Sequence, residues 1–399
     1  MKILIVVSTL DTGGAQRVAA NLSLGLPKDC EVDFLLNSDS EIAYPYRGNV
    51  ISLGAKPEKD KQKLSYQILI FIKRLAHLKK LKKYGDYDAV FSFLDSANFA
   101  NILSGKKFCR TIVSIHSNLS SAESNWKYKY IVCPLIRCLY KHADNVVTVS
   151  KGIENDLRKS IKYKGNNVIT IYNGFDLDRI RELGIQALSD SEKKLFDGEY
   201  TITTMGRLNE AKGYWHLIRA MSLVKECFPR VKLIILGEGE QRKYLSGLIK
   251  ELKLEDNVIL YGFTDNPFCL VKHSNLFVMS SLFEGLPSAL IEAMALGIPC
   301  VSTDFKSGAR EIIAPDMDIN DNVLDTYYEE KYGVLSPVCD GVQYDAQSPL
   351  TKEEKLLADA IIHILSNEDI RKQYAVACQQ AVERFTIDKM ASNWMGLLQ

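Results

Sequence analysis

Residues 280–299 read SSLFEGLPSALIEAMALGIP. Proline suits the first turn of a helix, where its missing N–H leaves no hydrogen bond unmade, and Pro287 fits that position. Gly297 fits the position just past a helix end, which favours glycine. The stretch therefore predicts a short helix behind a Gly-Leu-Pro turn, with Glu284 before the turn and Glu292 inside the helix.

The two glutamates and the turn between them indicate a specific chemistry. The turn contains Gly285, Leu286 and Pro287 and offers free backbone amides to an oxygen-rich ligand. A carboxylate at Glu292 can accept both hydroxyls of a cis-diol such as ribose, while Glu284 can contact a sugar ring. Such a pair suits a nucleotide-sugar site. The alternative is two surface glutamates that flank an ordinary helix.

Composition is typical of a soluble globular protein. With 399 residues, of which 46% are hydrophobic and 25% charged, the chain should form two domains of ordinary size. Its nine cysteines include no Cys-x-x-Cys pair, which favours reduced thiols in a cytosol. The apolar run at residues 1–10 is too short to span a bilayer and leads into Asp-Thr-Gly-Gly rather than a cleavage site, so we expect a buried first strand.

Charge is distributed unevenly along the chain. Residues 1–175 contain 26 Lys and Arg against 15 Asp and Glu, whereas the remainder contains 24 against 34. Residues 61–83 alone contain eight basic residues and no acidic one. The two halves should therefore face different partners.

Short β-branched runs alternate with helical patterns, which is typical of parallel sheets built from βαβ units. The pattern predicts an α/β fold with two doubly wound sheets. Strands are predicted at residues 2–8, 31–36, 89–93, 111–115, 145–149, 168–172, 200–205, 232–236, 258–261, 276–279 and 300–303. Helices between them include residues 15–26, 213–226 and 241–252.

Domain boundaries follow from a turn at residues 173–176, Asn-Gly-Phe-Asp. We expect a first domain at residues 1–175, a second at 176–385, and a C-terminal helix at 386–399 that packs back on the first domain. Residues 314–350 lose the alternating pattern and are interpreted as an exposed insertion without an assigned function.

Other candidate ligand contacts lie after predicted strands, at the edge where a doubly wound sheet binds ligands. Gly13 and Gly14 allow close backbone approach before a helix, although a plain tight turn is the alternative. His116 ends a strand and either contacts a ligand or packs as a structural histidine. Gly237, in a Gly-Glu-Gly segment, is a weaker candidate for contact with a nucleobase.

The loop at residues 204–213, TMGRLNEAKG, is a stronger candidate. Arg207 can bind two oxygens at once and Lys212 acts as a point charge, so together they can hold a diphosphate without a metal. The alternative is a solvated loop. Two Asp-x-Asp matches, at 176–178 and 316–318, fit a helix cap and the irregular segment respectively, and we therefore expect no metal site.

In combination, these motifs resemble the retaining family 4 glycosyltransferases, which have the two-Rossmann GT-B architecture with the donor site in the cleft between the domains. The resemblance implies that the first domain binds acceptor and the second binds a nucleotide sugar, without a metal or other cofactor. The implied catalytic residues are His116, Glu284, Arg207 and Lys212. The implied donor-binding residues are Gly13, Gly14, Arg207, Lys212, Gly237, Phe263, Glu284, Gly285, Leu286, Pro287 and Glu292.

Residues 303–311 and 91–95 look most like those of bacterial enzymes of capsule, O-antigen and protein-glycan assembly. The resemblance implies transfer of a hexose or N-acetylhexosamine, such as N-acetylgalactosamine, from a UDP sugar to a polyprenyl-diphosphate-linked glycan. A nucleotide-sugar epimerase of the same fold and a non-catalytic nucleotide-sugar-binding protein are the alternatives. An NAD-dependent oxidoreductase is disfavoured because the dinucleotide fingerprint is absent.

A basic segment in the first half suggests peripheral attachment to the inner face of the plasma membrane. Apolar residues at 68, 71, 72, 75 and 78 form a helical stripe, and a basic and aromatic patch begins at Trp126. The predicted surface for an anionic membrane or an acceptor comprises Lys73, Arg74, Lys79, Lys80, Lys82, Lys83 and Trp126. The alternative is a helix that packs its apolar stripe on the sheet. No nucleic-acid motif accompanies the charge, so no nucleic-acid partner is expected.

Overall fold

The computed structural model describes residues 1–56, 63–120, 126–321 and 324–399, and Lys61 of the basic segment lies outside them. The chain divides into two compact units. One comprises Met1–Phe175 together with Phe385–Gln399, and the other comprises Asp176–Arg384. Each unit contains its own seven-stranded sheet.

The first unit is a fully parallel sheet with helices between the strands, in the order β3-β2-β1-β4-β5-β6-β7. Its strands are β1 (Lys2–Val6), β2 (Glu31–Leu36), β3 (Asn49–Ser52), β4 (Ala89–Phe93), β5 (Arg110–Ile115), β6 (Asn145–Thr148) and β7 (Val168–Thr170). Its helices up to this point are α1 (Gly14–Gly25), α2 (Leu64–Tyr84), α3 (Asp95–Leu103), α4 (Cys133–Leu139) and α5 (Lys151–Lys159), with a π-helical turn at Tyr128–Val132 before α4.

Burial on both faces explains the continuous apolar runs of these strands. Ile3, Leu4, Ile5 and Val6 of β1 are all fully buried, as expected for a parallel strand covered by helices on each side. The strand order reverses between β1 and β4, which opens a crevice at the carboxyl ends of these strands.

The second unit repeats this plan, with the strand order β10-β9-β8-β11-β12-β14-β13. Its strands are β8 (Thr201–Met205), β9 (Lys232–Leu236), β10 (Val258–Gly262), β11 (Leu276–Met279), β12 (Cys300–Thr303), β13 (Tyr328–Glu330) and β14 (Gly333–Ser336). Its helices are α6 (Leu177–Gly184), α7 (Asp190–Lys193), α8 (Tyr214–Cys227), α9 (Arg242–Glu251), α10 (Pro267–Lys272), α11 (Ser288–Ala295), α12 (Ala309–Ile313), α13 (Lys352–Ser366) and α14 (Glu368–Val382). Here the crevice opens between β8 and β11.

The segment at 314–350 is not simply an exposed insertion, and this prediction is wrong for β14. β14 is buried along its whole length and pairs in parallel with β12, while β13 adds an antiparallel edge. A strand of four residues that begins at Gly333, which has a φ of +152°, gives little sequence signal.

The last helix, α15 (Ile387–Gly396), packs within the first unit. Trp394 is buried, and its ring lies 4.8 Å from that of Phe91 and 5.6 Å from that of Phe93, measured between centroids. Phe175 also donates a backbone hydrogen bond to Phe385. The C-terminal segment thus completes one face of the first sheet.

Candidate functional site

Two loops at the crevice of the second unit are joined by direct hydrogen bonds. The β8 loop (residues 206–213) follows β8, and the β11 loop (residues 280–287) follows β11. The amide of Leu282 donates to the carbonyl of Ala211 at 2.8 Å, and the Ser280 hydroxyl donates to the carbonyl of Lys212 at 3.0 Å. The side chains on the two loops are therefore held in a fixed relation.

These loops place Lys212 against Glu284. The Lys212 Nζ atom lies 2.7 Å from Oε1 of Glu284, and the two side chains are only 16% and 19% exposed. The Ser281 hydroxyl donates to the same oxygen at 3.0 Å. Burial opposes the charge on Lys212, but the nearby carboxylates of Glu284 and Glu292 outweigh it and raise the pKa of Lys212. The crevice therefore contains a lysine that stays cationic.

Gly237 lies where the backbone of the loop after β9 closely approaches the backbone of the β8 loop. This residue has a φ of +141°, and a Cβ there would collide with the carbonyl oxygen of Gly206. The loop after β9 consequently lies directly beside the β8 loop, and Leu208 donates its amide to the carbonyl of Glu238 at 2.9 Å. Arg207 projects from this contact with an exposed side chain.

Helix α11 begins directly behind the β11 loop. Pro287 is its N-cap, one residue earlier than the predicted first-turn position, and Gly297 ends it with a φ of +73°. The amides of Gly297 and Ile298 donate to the carbonyls of Met294 and Ala293, which is the Schellman arrangement.

The remaining predicted donor residues differ in exposure. Glu292, on α11, is only 6% exposed, and Leu286 in the preceding turn is also buried. Gly285 is partly exposed in that turn. Phe263, which follows β10, is 70% exposed and offers an open aromatic face.

In the first unit, Gly13 and Gly14 follow β1, with Gly14 opening α1, and His116 follows β5. The Nε2 atom of His116 lies 2.9 Å from the Ser114 hydroxyl, and its ring centroid is 5.3 Å from that of Phe93. Burial lowers the pKa of His116 to about 3, so this imidazole is neutral at physiological pH.

Between these segments lies Asp95, a residue that sequence reasoning did not select as a site residue. It follows β4 and is partly exposed, and the preceding Leu94 has a φ of +72°. The hydroxyls of Tyr128 and Tyr140 donate to its two carboxylate oxygens at 3.0 and 3.3 Å. A single aspartate after a strand carries no spacing signal, which is why only the structure reveals this cluster.

Two residues of the predicted basic surface are buried, which corrects that prediction. Arg74 is 2% exposed, and its guanidinium donates to Asn37, Ser96 and Ser8. Lys82 is 3% exposed. Its ammonium donates to the Asn101 and Gly105 carbonyls and to the Thr111 hydroxyl. Burial lowers the pKa of Lys82 to about 8.

The physical reason is the orientation of α2. This helix turns the face with Arg74, Leu78 and Lys82 inward, so that part of the apolar stripe faces outward. Ile68 and Ile72 of the stripe are more than half exposed, as are the neighbouring Leu64 and Leu69. Lys73, Lys79, Lys80, Lys83 and Trp126 are exposed as predicted.

The described residues contain neither a metal-binding cluster nor a membrane-spanning helix. Across the described ranges, with gaps at 57–62, 121–125 and 322–323, no group of three His, Cys, Asp or Glu side chains is arranged to hold a metal ion. In the same part of the chain, no helix is both long and apolar enough to cross a membrane.

Two doubly wound units, with an ion pair at the strand ends of the second, define a class of two-domain α/β proteins. Sequence comparison makes this specific. Residues 12–179 match "Glycosyltransferase Family 4", and residues 186–331 match "Glycosyl transferases group 1". The chain belongs to the family 4 glycosyltransferases, and its architecture is GT-B.

Relatives match along most of the chain. An uncharacterized glycosyltransferase of Methanocaldococcus jannaschii is 34% identical over 353 residues, which cover 86% of both chains. An N-acetylgalactosamine-N,N'-diacetylbacillosaminyl-diphospho-undecaprenol 4-alpha-N-acetylgalactosaminyltransferase of Campylobacter jejuni is 32% identical over 327 residues, or 79% of this chain and 84% of the relative.

Solved structures agree on the fold. An Anabaena protein in complex with UDP superposes with a TM-score of 0.73 at 19% identity, covering 100% of this chain and 99% of that one. A sucrose-phosphate synthase from Thermosynechococcus elongatus gives a TM-score of 0.75 at 18% identity, with 99% and 98% covered.

Proposed function

We propose that this glycosyltransferase moves a hexose or N-acetylhexosamine from a UDP sugar to a polyprenyl-diphosphate-linked glycan, with retention at the anomeric carbon. The observation that carries the proposal is the Lys212–Glu284 pair at the strand ends of the second unit, with Glu292 on the adjoining helix. The named activity of the Campylobacter relative and the UDP in the Anabaena structure support the choice of donor and acceptor.

The donor diphosphate is bound by Lys212 and Arg207. Glu284 occupies one donor direction of the Lys212 ammonium, which leaves the other N–H groups for phosphate oxygens. Arg207, exposed on the same loop, can grip two further oxygens. These two cations supply the charge that many transferases take from a metal, so activity should survive excess chelator.

The reaction is a same-face displacement. The bond from the anomeric carbon to the diphosphate oxygen breaks, and a bond from that carbon to the acceptor oxygen forms. The acceptor proton passes to the departing diphosphate. Lys212 and Arg207 stabilise the negative charge that grows on the leaving group, which is electrostatic catalysis by fixed groups.

The remaining residues divide binding between them. Glu292 accepts the ribose hydroxyls, Glu284 contacts the donor sugar, and the amides of the β11 loop bind sugar oxygens. Gly237 and Phe263 border the nucleobase. From the crevice of the first unit, Gly13, Gly14 and the neutral His116 contribute to substrate binding, with His116 forming a hydrogen bond to a sugar hydroxyl.

The decisive experiment is a donor screen with the purified protein that records UDP release and then product mass. A product heavier than the acceptor by one sugar, formed only with acceptor present, is expected. Conversion of the donor sugar without acceptor would identify an epimerase instead, and UDP-sugar binding without turnover would identify a non-catalytic protein.

We further propose that the first unit docks on the anionic inner leaflet of the plasma membrane, where a lipid-linked acceptor would be met. The docking surface consists of the exposed apolar residues of α2 and the exposed cations beside them, together with Trp126. Its members are Leu64, Ile68, Leu69, Ile72, Lys73, Lys79, Lys80, Lys83 and Trp126.

The energetics suit reversible attachment. Each basic residue near an anionic surface contributes about 1 kcal/mol, so four lysines give roughly 4 kcal/mol and a Kd of about 1 mM. Insertion of the apolar side chains would tighten binding beyond that value.

Co-sedimentation with vesicles tests this surface. Charge reversal at Lys79, Lys80 and Lys83 should reduce binding to anionic vesicles, whereas reversal at Lys159, Lys162 and Lys164 serves as the matched control. Equal binding of the unmodified protein to neutral and anionic vesicles, or to neither, would contradict the docking proposal.

A further inference from the structure

The turn between β4 and α3 in the first unit contains a strained residue. Leu94 has a φ of +72° and a ψ of 153°, a backbone conformation that a leucine rarely adopts. Such strain persists only where surrounding contacts enforce it, which is most often at functional sites.

Those surrounding contacts are present on both sides of Asp95. Tyr128 donates to its Oδ2 and Tyr140 to its Oδ1, and the Tyr140 hydroxyl in turn accepts from Asn98 at 3.0 Å. On the other side, the guanidinium of Arg74 donates to the Ser96 hydroxyl at 3.0 Å. The carboxylate of Asp95 is thus held in one orientation.

The carboxylate retains capacity for a ligand. Each oxygen of an ionised carboxylate can accept about two hydrogen bonds, and the tyrosines account for one on each oxygen. Asp95 is partly exposed, while Tyr140 is fully buried beneath it. An incoming hydroxyl can therefore reach the carboxylate from the crevice without displacing a tyrosine.

The position of Asp95 in the sheet indicates which kind of ligand its carboxylate can bind. β4 lies between β1 and β5 in the sheet, so Asp95 lies between the Gly13–Gly14 turn and His116 at the strand ends. A carboxylate repels a diphosphate but accepts hydrogen bonds from neutral sugar hydroxyls. Tyr128 also begins the π-helical turn, two residues after Trp126 of the docking surface.

We infer that Asp95 is a substrate-binding residue that accepts a hydrogen bond from a hydroxyl of the acceptor sugar, with Tyr128 and Tyr140 as its positioning residues. The inference rests on the proposed function, because it requires a glycan acceptor. It names the carboxylate of the first unit that contacts the acceptor, separate from the cations that bind the donor.

The test measures the KM for the acceptor and the KM for the donor separately in Asp95→Asn and Asp95→Ala. The substrates are UDP-N-acetylgalactosamine and the diphospho-undecaprenol acceptor named for the Campylobacter relative, followed by the other pairs of the donor screen. Loss of a hydrogen bond to a charged group should raise the acceptor KM about 10- to 100-fold. The donor KM and the Kd for UDP should stay unchanged.

The matched control is Asp33→Asn. Asp33 also accepts a hydrogen bond from a tyrosine hydroxyl, that of Tyr87 at 2.6 Å, but it is buried and lies within β2 rather than at the crevice. This variant should leave the acceptor KM unchanged. Unfolding transitions and far-UV circular dichroism spectra that match those of the unmodified protein show that the Asp95 variants remain folded.

Tyr140→Phe separates positioning from binding, since it removes one support and keeps the carboxylate. It should raise the acceptor KM by a smaller factor than Asp95→Asn. Transfer by the unmodified protein with an unchanged acceptor KM in both Asp95 variants would overturn this inference alone. Absence of transfer by the unmodified protein with every pair would overturn the proposed function, and this inference with it.

Discussion

The crevices of the two units share a fold but differ in chemistry. The second unit presents a partly exposed ion pair, Lys212 with Glu284, on the same crevice as the exposed Arg207. The first presents a neutral His116 and a carboxylate, Asp95, held by tyrosine hydroxyls. Both lie where the strand order reverses, so the sheet determines where a ligand binds and the side chains determine its charge.

Removal of the Lys212 cation, which distinguishes the second crevice from the first, should have the largest effect on transfer activity. Lys212→Ala leaves Glu284 facing the donor diphosphate without its cation, so Arg207 alone of the two cations remains to bind the diphosphate. Loss of a group that stabilises transition-state charge costs on the order of 10²–10³ in turnover. Steady-state transfer rates measure the loss, and near-normal turnover would contradict the assignment.

The matched control is Lys232→Ala. Lys232 also faces a carboxylate, that of Asp197 at 3.8 Å, but it lies at the start of β9, away from the crevice. This variant should retain full turnover. Arg207→Ala should resemble Lys212→Ala, since both cations bind the same diphosphate.

The two glutamates of the second crevice, Glu292 and Glu284, should differ in their effect on UDP binding. Glu292→Ala should weaken both UDP and the donor by about 10- to 100-fold, because hydrogen bonds from ribose to a charged group are lost. Glu284→Ala should lower turnover and leave the Kd for UDP nearly intact, as UDP has no donor sugar. Calorimetric titration with UDP distinguishes the two, and equal UDP affinity in both variants would refute the ribose role of Glu292.

The smallest effect concerns stability in the first unit. Burial lowers the pKa of Lys82 to about 8, from an ordinary value of 10.5. Between these values the unfolded chain binds a proton at Lys82 that the folded chain has released. The contribution of this site to stability should therefore rise with pH, by up to about 1.4 kcal/mol per pH unit.

Urea unfolding at pH 7.5 and 9.5 measures this dependence. The free energy of unfolding of the unmodified protein, relative to Lys82→Met, should increase by about 2 kcal/mol over that interval. The exposed neighbour provides the control, since Lys83→Met should leave the pH dependence of the unmodified protein in place. If the difference in the free energy of unfolding stays flat or falls with pH, burial does not lower the pKa of Lys82.

Residues with strong periodicity or spacing allowed much of this structure to be predicted. β2, β4, β9, β11 and β12 match the predicted bounds because continuous apolar runs identify buried parallel strands. The Lys212 loop and the Glu284–Glu292 stretch were found because glycines and charges recur there at fixed spacings.

Other features depend on tertiary context. Arg74 and Lys82 were predicted to be exposed because charge usually marks a solvated helix face, and the carbonyls and hydroxyls that satisfy them come from distant segments. β14 is too short to give a pattern, and Asp95 gains its meaning only from Tyr128 and Tyr140, more than 30 residues away.

The central claim is that the β8 and β11 loops bind the nucleotide diphosphate. Amide hydrogen exchange with and without UDP tests it most directly, because both loops offer backbone N–H groups and their protection can be localised. UDP should give its strongest protection at residues 206–213 and 280–292, and Lys212→Ala should reduce that protection. If UDP binds and amide exchange in both segments stays unchanged, the central claim is contradicted.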